Sequence, residues 1–221
     1  ISDDDNKAWA LKDIAVELVE AGQLDKALTV ARSISDDIEK ASALKDIAVE
    51  LAKAGQFDKA VTAAGSISDD SKKAKALKDI AVELAKAGQF NKAVTVAGSI
   101  SDDSDKALTL IDIASELAKA GQFGIAFDVA GSISDDHYKA WALRDIALEL
   151  AKAGQFDDAL NVARFIYDDS EKADTLRDIA SELAEAGHTQ KALQIFDKAF
   201  DVAGSISDDS KKAWALNFIA V

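Results

Sequence analysis

The stretch ALKDIAVELAKAGQFDKAV at residues 43–61 returns as ALKDIAVELAKAGQFNKAV at residues 76–94. The second copy begins 33 residues after the first, and they differ at one position, where Asp58 is replaced by Asn91. A fixed period of about 20 to 50 residues is typical of solenoids and other repeat arrays. The repetition therefore predicts a chain built from similar units that stack on one another.

A short motif, Ile-Ser/Tyr-Asp-Asp, marks the start of every unit. It begins at residues 1, 34, 67, 100, 133, 166 and 206, so five intervals are 33 residues long and the last is 40. The seventh copy ends after sixteen residues, at position 221. We expect six repeats and a terminal half repeat, forming a single solenoid domain over residues 1–221.

The apolar residues of each unit predict two helices. In the second copy they fall at i, i+3, i+4 and i+7, at Leu44, Ile47, Ala48 and Leu51. Gly55 follows this stripe, where the chain must reverse and a left-handed residue is needed. A second stripe starts at Phe57, so we expect a first helix of about 17 residues and a second of about 11. In the sixth copy seven extra residues after Gly187 predict a second helix two turns longer, with Ala192, Phe196, Ala199, Phe200 and Ala203 on its apolar stripe.

The paired aspartates at the start of each unit allow two interpretations. They could bind a metal such as calcium, but no loop has the glycine and bidentate glutamate of an EF-hand. They also lie where a helix begins, with Ser35 as the predicted N-cap and Asp36 and Asp37 in the first turn. Lys40 lies four residues after Asp36, as in a helical ion pair. Helix capping is the favoured interpretation, and no metal site is predicted.

The order of residue types resembles the tetratricopeptide repeat. Along the first helix two large residues, one small residue and another large residue occur in that order, at Leu44, Ile47, Ala48 and Leu51. Glycine, an aromatic residue and alanine follow, at Gly55, Phe57 and Ala60. The resemblance covers nearly the whole chain and implies an all-α solenoid of stacked antiparallel helix hairpins. It also implies a concave groove, lined by the first helices, in which a peptide or protein binds. Ankyrin repeats share the 33-residue period, but their TPLH turn is missing from this sequence.

The candidate binding residues occupy two positions of the first helix that would line this groove: Trp9, Lys12, Lys45, Lys78, Trp141, Arg144, Arg177 and Trp214. Tryptophan and arginine are common in binding hot spots, and a row of cations would favour an acidic or carboxylate-terminated peptide. The lysines could instead form an ordinary solvated face, and each tryptophan could pack against a neighbouring unit. The like-charged pair Asp46 and Glu50 recurs in every repeat, either as a ladder to lysines of the next unit or as an acidic stripe for a basic partner. The ladder is the favoured interpretation.

The charge and composition of the chain also disfavour several classes of partner and of chemistry. The net charge of −14 disfavours nucleic acid and anionic membrane surfaces as partners. The sequence has no cysteine, so it does not determine the redox compartment. It has no apolar run long enough to span a membrane and no signal peptide; the location is unknown, with the cytoplasm favoured. His137 and His188 have no metal-binding spacing, and no catalytic or phosphate-binding motif is present, so we expect neither an enzyme nor a cofactor.

The sequence thus predicts a non-catalytic scaffold that binds proteins or peptides. The alternative is a structural module that associates end to end with copies of itself, or an engineered repeat without a ligand.

Overall fold

The repeats form helix hairpins throughout the part of the chain that the structure describes. The computed structural model describes the backbone of residues 3–219 and the side chains of residues 6–217, and within these limits it contains α-helices and no β-strand. The helices are α1 (Asp3–Glu20), α2 (Leu24–Arg32), α3 (Asp37–Lys53), α4 (Phe57–Gly65), α5 (Asp70–Lys86), α6 (Phe90–Gly98), α7 (Asp103–Lys119), α8 (Phe123–Gly131), α9 (Asp136–Lys152), α10 (Phe156–Ala163), α11 (Asp169–Glu185), α12 (Thr189–Ser205) and α13 (Asp209–Ile219). Odd-numbered helices are the first helices of the repeats, and even-numbered helices are the second.

Two compact units divide the chain, an N-terminal unit of residues 1–109 and a C-terminal unit of residues 110–221. Within the N-terminal unit α3 contacts α1, α4 and α5, and within the C-terminal unit α11 contacts α9, α12 and α13. Each of these first helices therefore packs against its own second helix and against the first helices before and after it. The all-α solenoid of 33-residue hairpins is confirmed, while the single domain spanning residues 1–221 stays a prediction.

The packing of consecutive first helices buries one isoleucine in each of the second to sixth repeats. Ile47 on α3 is 1% exposed and Ile80 on α5 is 0% exposed, whereas Ile14 at the same position of α1 is 49% exposed. No first helix precedes α1 in the described chain, and this difference accounts for the exposure of Ile14. Alanines at the facing positions, such as Ala48 and Ala60, are completely buried and allow the helices to approach closely.

The turn between the two helices of a hairpin has the predicted left-handed glycine. Gly55 has φ of +73°, and equivalent glycines lie between +71° and +84°. The Gly55 N–H donates to the carbonyl of Ala52 at 2.9 Å, and the Gln56 N–H donates to that of Leu51 at 2.8 Å. This pair of bonds is a Schellman motif, which satisfies the last carbonyls of the first helix.

The prediction that Ser35 caps the first helix is wrong by one residue. Asp36 is the N-cap, with extended backbone, and its Oδ1 accepts a hydrogen bond from the Glu39 N–H at 2.8 Å. The N-cap side chain must reach the N–H three residues onward, and Asp36 occupies the position from which it can do so. At the same position in the next repeat, the hydrogen bond from the Lys72 N–H lowers the pKa of Asp69. The capping interpretation of these aspartates is therefore confirmed.

The second helix of the sixth repeat is longer, as predicted. Helix α12 has 17 residues, whereas α4 and α6 have nine each. Its buried stripe consists of Ala192, Ile195, Ala199 and Ala203. Phe200 was expected on this stripe but is exposed, because it lies one residue beyond Ala199 and projects away from the core. No helix among the described residues is long and apolar enough to cross a membrane.

Two glycines of one repeat provide a test of the left-handed turn. A Cβ atom would meet no neighbour within 4 Å at either Gly88 or Gly98, but only Gly88 has a positive φ, of +74°. We expect Gly88→Ala to lower the free energy of unfolding by about 1 kcal/mol because a Cβ disfavours this conformation. Gly98→Ala, at the end of α6, should leave the stability unchanged or raise it by up to about 1 kcal/mol. Urea unfolding of the two variants measures the difference, and equal effects would contradict the assignment of strain to the turn.

Candidate binding face

The predicted binding residues lie at equivalent positions of successive first helices. Trp9 and Lys12 lie on α1, Lys45 on α3 and Lys78 on α5, all in the N-terminal unit. The C-terminal unit holds Trp141 and Arg144 on α9, Arg177 on α11 and Trp214 on α13. We call these positions, with the carboxylates between them, the first-helix face of each unit. The concave shape of this face stays a prediction.

The three tryptophans of the first-helix face are partly exposed. The exposed fractions are 48% for Trp9, 36% for Trp141 and 52% for Trp214. The position they share holds Ser42, Lys75, Leu108 and Asp174 in the other repeats. The tryptophans are therefore not required by the repeat itself.

Trp141 is held by neighbours from two helices. Its ring lies 4.4 Å from that of His137 and 5.6 Å from that of Tyr138, both on α9. Its indole Nε1–H donates a hydrogen bond of 3.2 Å to Glu171 Oε1 on α11. Sequence reasoning did not identify these three neighbours, although the i,i+4 spacing of His137 and the i,i+3 spacing of Tyr138 could have indicated the ring contacts. The arrangement fixes the indole while leaving part of its surface open.

In the N-terminal unit the lysines of the first-helix face are paired with carboxylates. Lys12 Nζ lies 2.6 Å from Glu39 Oε2 on the next first helix. Lys45 Nζ lies 2.9 Å from Asp46 Oδ1, and its charge also acts on Asp79 of the following repeat. Burial raises the pKa of Asp79, and the positive charge of Lys45 opposes that rise. These lysines therefore neutralise carboxylates within the stack.

In the C-terminal unit both arginines of the face join one network. Arg144 Nη1 lies 3.4 Å from Glu171 Oε2, and Arg144 Nη2 lies 3.1 Å from Asp178 Oδ2. Arg177 also donates to Asp178, with its Nε 3.0 Å from Oδ1. Two helices, α9 and α11, are thus connected through Asp178.

Asp174 is the buried member of this network. It is 4% exposed, and its Oδ1 lies 3.6 Å from Arg177 Nη1, beyond hydrogen-bonding distance. Burial raises the pKa of Asp174, and the charges of Arg177 and Arg144 oppose this rise. The carboxylate occupies the position that holds tryptophan in the repeats before and after it.

A second row of ion pairs runs along the same helices. Lys53 Nζ lies 2.6 Å from Glu50 Oε1, and Lys152 Nζ lies 2.8 Å from Glu149 Oε1. The hydrogen bond that Lys53 donates to Glu50 raises the pKa of Lys53, and the charges of Glu83 and Asp79 of the next repeat add to this effect. The glutamate of the recurring pair therefore binds a lysine of its own repeat. Contact with a cation of the adjacent repeat, which the favoured interpretation predicts, is made by Asp178 with Arg144.

The predicted row of free positive charge is wrong. The sequence shows the cations in a line, but the fold brings a carboxylate of the same or the next first helix against Lys12, Lys45, Arg144 and Arg177. Around Arg144, Arg177 and Lys152 lie six carboxylates: Asp145, Glu149, Glu171, Asp174, Asp178 and Glu182. Three cations against six carboxylates give 3 − 6 = −3. This face of the C-terminal unit is therefore acidic.

The two histidines take part in ring contacts. His137 lies against Trp141, and the ring of His188, at the N-cap of α12, lies 5.6 Å from that of Phe156. Among the described residues, no group of three or more histidines or carboxylates could hold a metal ion.

Asp174 and Asp178 should differ in how their neutralisation changes stability. The raised pKa of Asp174 means that the folded chain binds a proton there at a higher pH than the unfolded chain does. The stabilisation from this proton is present at acid pH and is lost as the pH rises through the raised pKa. We expect Asp174→Asn to raise the unfolding free energy at pH 7 by up to about 1 kcal/mol, and the gain to shrink towards about pH 4.

Asp178→Asn is the matched control, because it removes a carboxylate that accepts from both arginines. It should destabilise the chain at pH 7 by about 1 to 3 kcal/mol. Urea unfolding at the two pH values measures both variants. A loss of stability for Asp174→Asn that does not change with pH would contradict the assignment.

Comparison with known proteins finds matches among solved structures only. The chain matches no protein-family model and no curated protein. YrrB, a TPR protein with an unusual peptide-binding site, is 16% identical, with 88% of this chain and 97% of that chain covered and a TM-score of 0.37. A Podosopora anserina protein with nearly identical TPR-like repeats is 11% identical, with 90% and 96% covered and a TM-score of 0.35. MamA (AMB-1) is 16% identical, with 74% and 99% covered and a TM-score of 0.35. By its own period, helix hairpins and glycine turn, this chain is an all-α helical repeat protein whose hairpins resemble the tetratricopeptide repeat.

Proposed function

We propose that the chain is a scaffold that binds an extended peptide or protein segment on its first-helix face and catalyses no reaction. The observation that carries the proposal is the pair of exposed tryptophans, Trp141 and Trp214, on the face of the C-terminal unit. One helix, α11, lies between the helices that carry them. Exposed aromatic side chains in a polar surrounding are typical of interaction sites.

The fixed position of Trp141 supports a binding role. Its indole is oriented by His137, Tyr138 and Glu171 before any partner arrives. A side chain that is already ordered loses less conformational entropy when it binds. Neighbouring helices pack at about 8 to 10 Å, so two helix spacings would separate the tryptophans by about 16 to 20 Å. An extended peptide of about six residues spans that distance.

The charge of the face favours a basic partner. The line of cations in the sequence favours an acidic or carboxylate-terminated peptide only if those cations are unpaired. In the C-terminal unit those cations are paired and carboxylates exceed them by three. A segment with lysine or arginine between apolar residues would place its charges near Glu171 and Asp178 and its apolar groups on the tryptophans.

The binding of two acetylated hexapeptides tests this proposal, one alternating lysine with leucine and the other glutamate with leucine. We expect the lysine peptide to bind more tightly in fluorescence anisotropy and its affinity to fall as salt is added. Trp141→Ala should weaken binding at least about tenfold. Leu193→Ala is the matched control, because Leu193 is an exposed apolar residue of α12 away from this face. Tighter binding of the glutamate peptide that Trp141→Ala weakens would reverse the charge preference of this face. Unchanged binding of the lysine peptide to Trp141→Ala would remove the face from the site.

End-to-end self-association is the second candidate, and one observation favours it. On α1 Ile14 and Val16 are exposed, and the equivalent of Ile14 on α3 is covered by a preceding helix. At the other end Leu216 packs against the buried cluster that contains Ala203 and Ile206. The side chains of residues 218–221 lie outside the described part of the chain. A second copy of the chain could cover these exposed side chains of α1. If the chain self-associates, its molar mass in sedimentation experiments without added peptide should rise with protein concentration. Ile14→Glu should abolish that rise. A module without any ligand would bind neither hexapeptide and would keep a constant mass.

A further inference from the structure

A cleft of about 350 Å³ lies on the second-helix side of the C-terminal unit, between α10, α11 and α12. Leu160, Leu176 and Val202 supply apolar surface to it. Arg164, Lys172 and Lys198 also line it, together with one carboxylate, Asp201. Three cations and one carboxylate give 3 − 1 = +2, in a chain whose net charge is −14.

The long α12 builds one wall of this cleft. The other second helices have eight or nine residues, and a nine-residue α12 would end at residue 197. Lys198, Asp201 and Val202 lie beyond that point. Val202 packs against a buried cluster that contains Ala173, Ala203 and Ile206, so this wall is anchored in the core. The irregular sixth repeat therefore creates a surface that the nine-residue helices do not form.

The cations of the cleft differ from those elsewhere on the second helices. Lys59 lies 2.6 Å from Asp25 of the preceding repeat, and Lys191 lies 2.7 Å from Asp157. Among the residues whose side chains are described, no carboxylate lies within 4.0 Å of the charged group of Arg164, Lys172 or Lys198. These three charges are not used to hold the stack together.

We propose that this cleft binds an acidic peptide segment that carries a large apolar side chain. Its carboxylates would pair with Arg164, Lys172 and Lys198, and its apolar side chain would lie against Leu160, Leu176 and Val202. Apolar contact at the centre with charges at the rim is the usual organisation of such interfaces. The edge-on pair of Phe127 and Phe165, 5.2 Å apart, adds exposed aromatic surface next in sequence to Arg164. The site is separate from the first-helix face and opposite to it in charge.

Titration of the ¹⁵N-labelled full chain with the glutamate–leucine hexapeptide tests the proposal by NMR. We expect saturable amide shifts confined to residues 160–164, 172–176 and 198–202, at peptide concentrations up to about 5 mM. Arg164→Glu with Lys198→Glu should weaken this binding at least about tenfold. Lys7→Glu with Lys26→Glu makes the same change in net charge at exposed sites of the N-terminal unit and should leave it unchanged.

Several results would overturn the proposal. Equal shifts at the cleft with the lysine–leucine peptide would show that charge does not select the ligand. Absence of saturable shifts there, or an equal effect of the control pair, would exclude the site. Shifts of the same amides that follow the concentration of the protein alone would identify a second copy of the chain as the occupant. The first-helix face and the cleft are expected to bind oppositely charged peptides and to shift different amide signals. A negative result for one site therefore does not contradict the proposal for the other.

Discussion

Burial of the isoleucine between consecutive first helices is the constraint on which the rest of the structure depends. Ile14 and Ile47 have the same sequence neighbours, yet one is half exposed and the other is buried. The difference comes from the preceding helix and not from the hairpin itself. A single hairpin therefore leaves its first helix partly uncovered, and the period of the sequence reflects the need for a neighbour.

The other regular features keep that contact in register. The left-handed glycine returns the second helix against the first, and the aspartate N-cap fixes where the next first helix begins. Completely buried alanines allow neighbouring helices to approach closely. This close packing brings charged side chains of the first helices together, and ion pairs between them neutralise these charges. Features that stacking does not require then point to function: the tryptophans of the first-helix face, the unpaired cations of the cleft and the extension of α12.

Much of the fold could be predicted from the sequence because its causes are local. Apolar spacing indicated the first helices, and Gly55 indicated the turn, since few residues other than glycine adopt a positive φ. The N-cap was misplaced by one residue because Ser35 and Asp36 are both good capping residues, and the choice depends on where the helix starts. Phe200 was misplaced because a difference of one position moves a side chain by about 100° around a helix.

The candidate site was harder to predict because its charges depend on register between helices. Lys12 and Glu39 are 27 residues apart and Arg144 and Asp178 are 34 apart, so no spacing on one helix indicates their contact. The sequence therefore shows a row of cations without their carboxylate partners, which come from the same helix for Lys45 and Arg177 and from the next repeat for Lys12 and Arg144. The cleft was missed for a related reason, since its walls come from three helices and its cations are spread over residues 164–198.

The stability of the fold depends most directly on the contact between consecutive first helices, and the chain contains a matched pair of residues that measures this contact. Ile80→Ala removes a completely buried side chain between α3 and α5, whereas Ile14→Ala makes the same change where no helix covers it. We predict that Ile80→Ala lowers the free energy of unfolding by about 3 kcal/mol and that Ile14→Ala lowers it by less than about 1 kcal/mol, both in urea unfolding. Equal losses for the two variants would contradict the claim that stacking on the preceding repeat stabilises this fold.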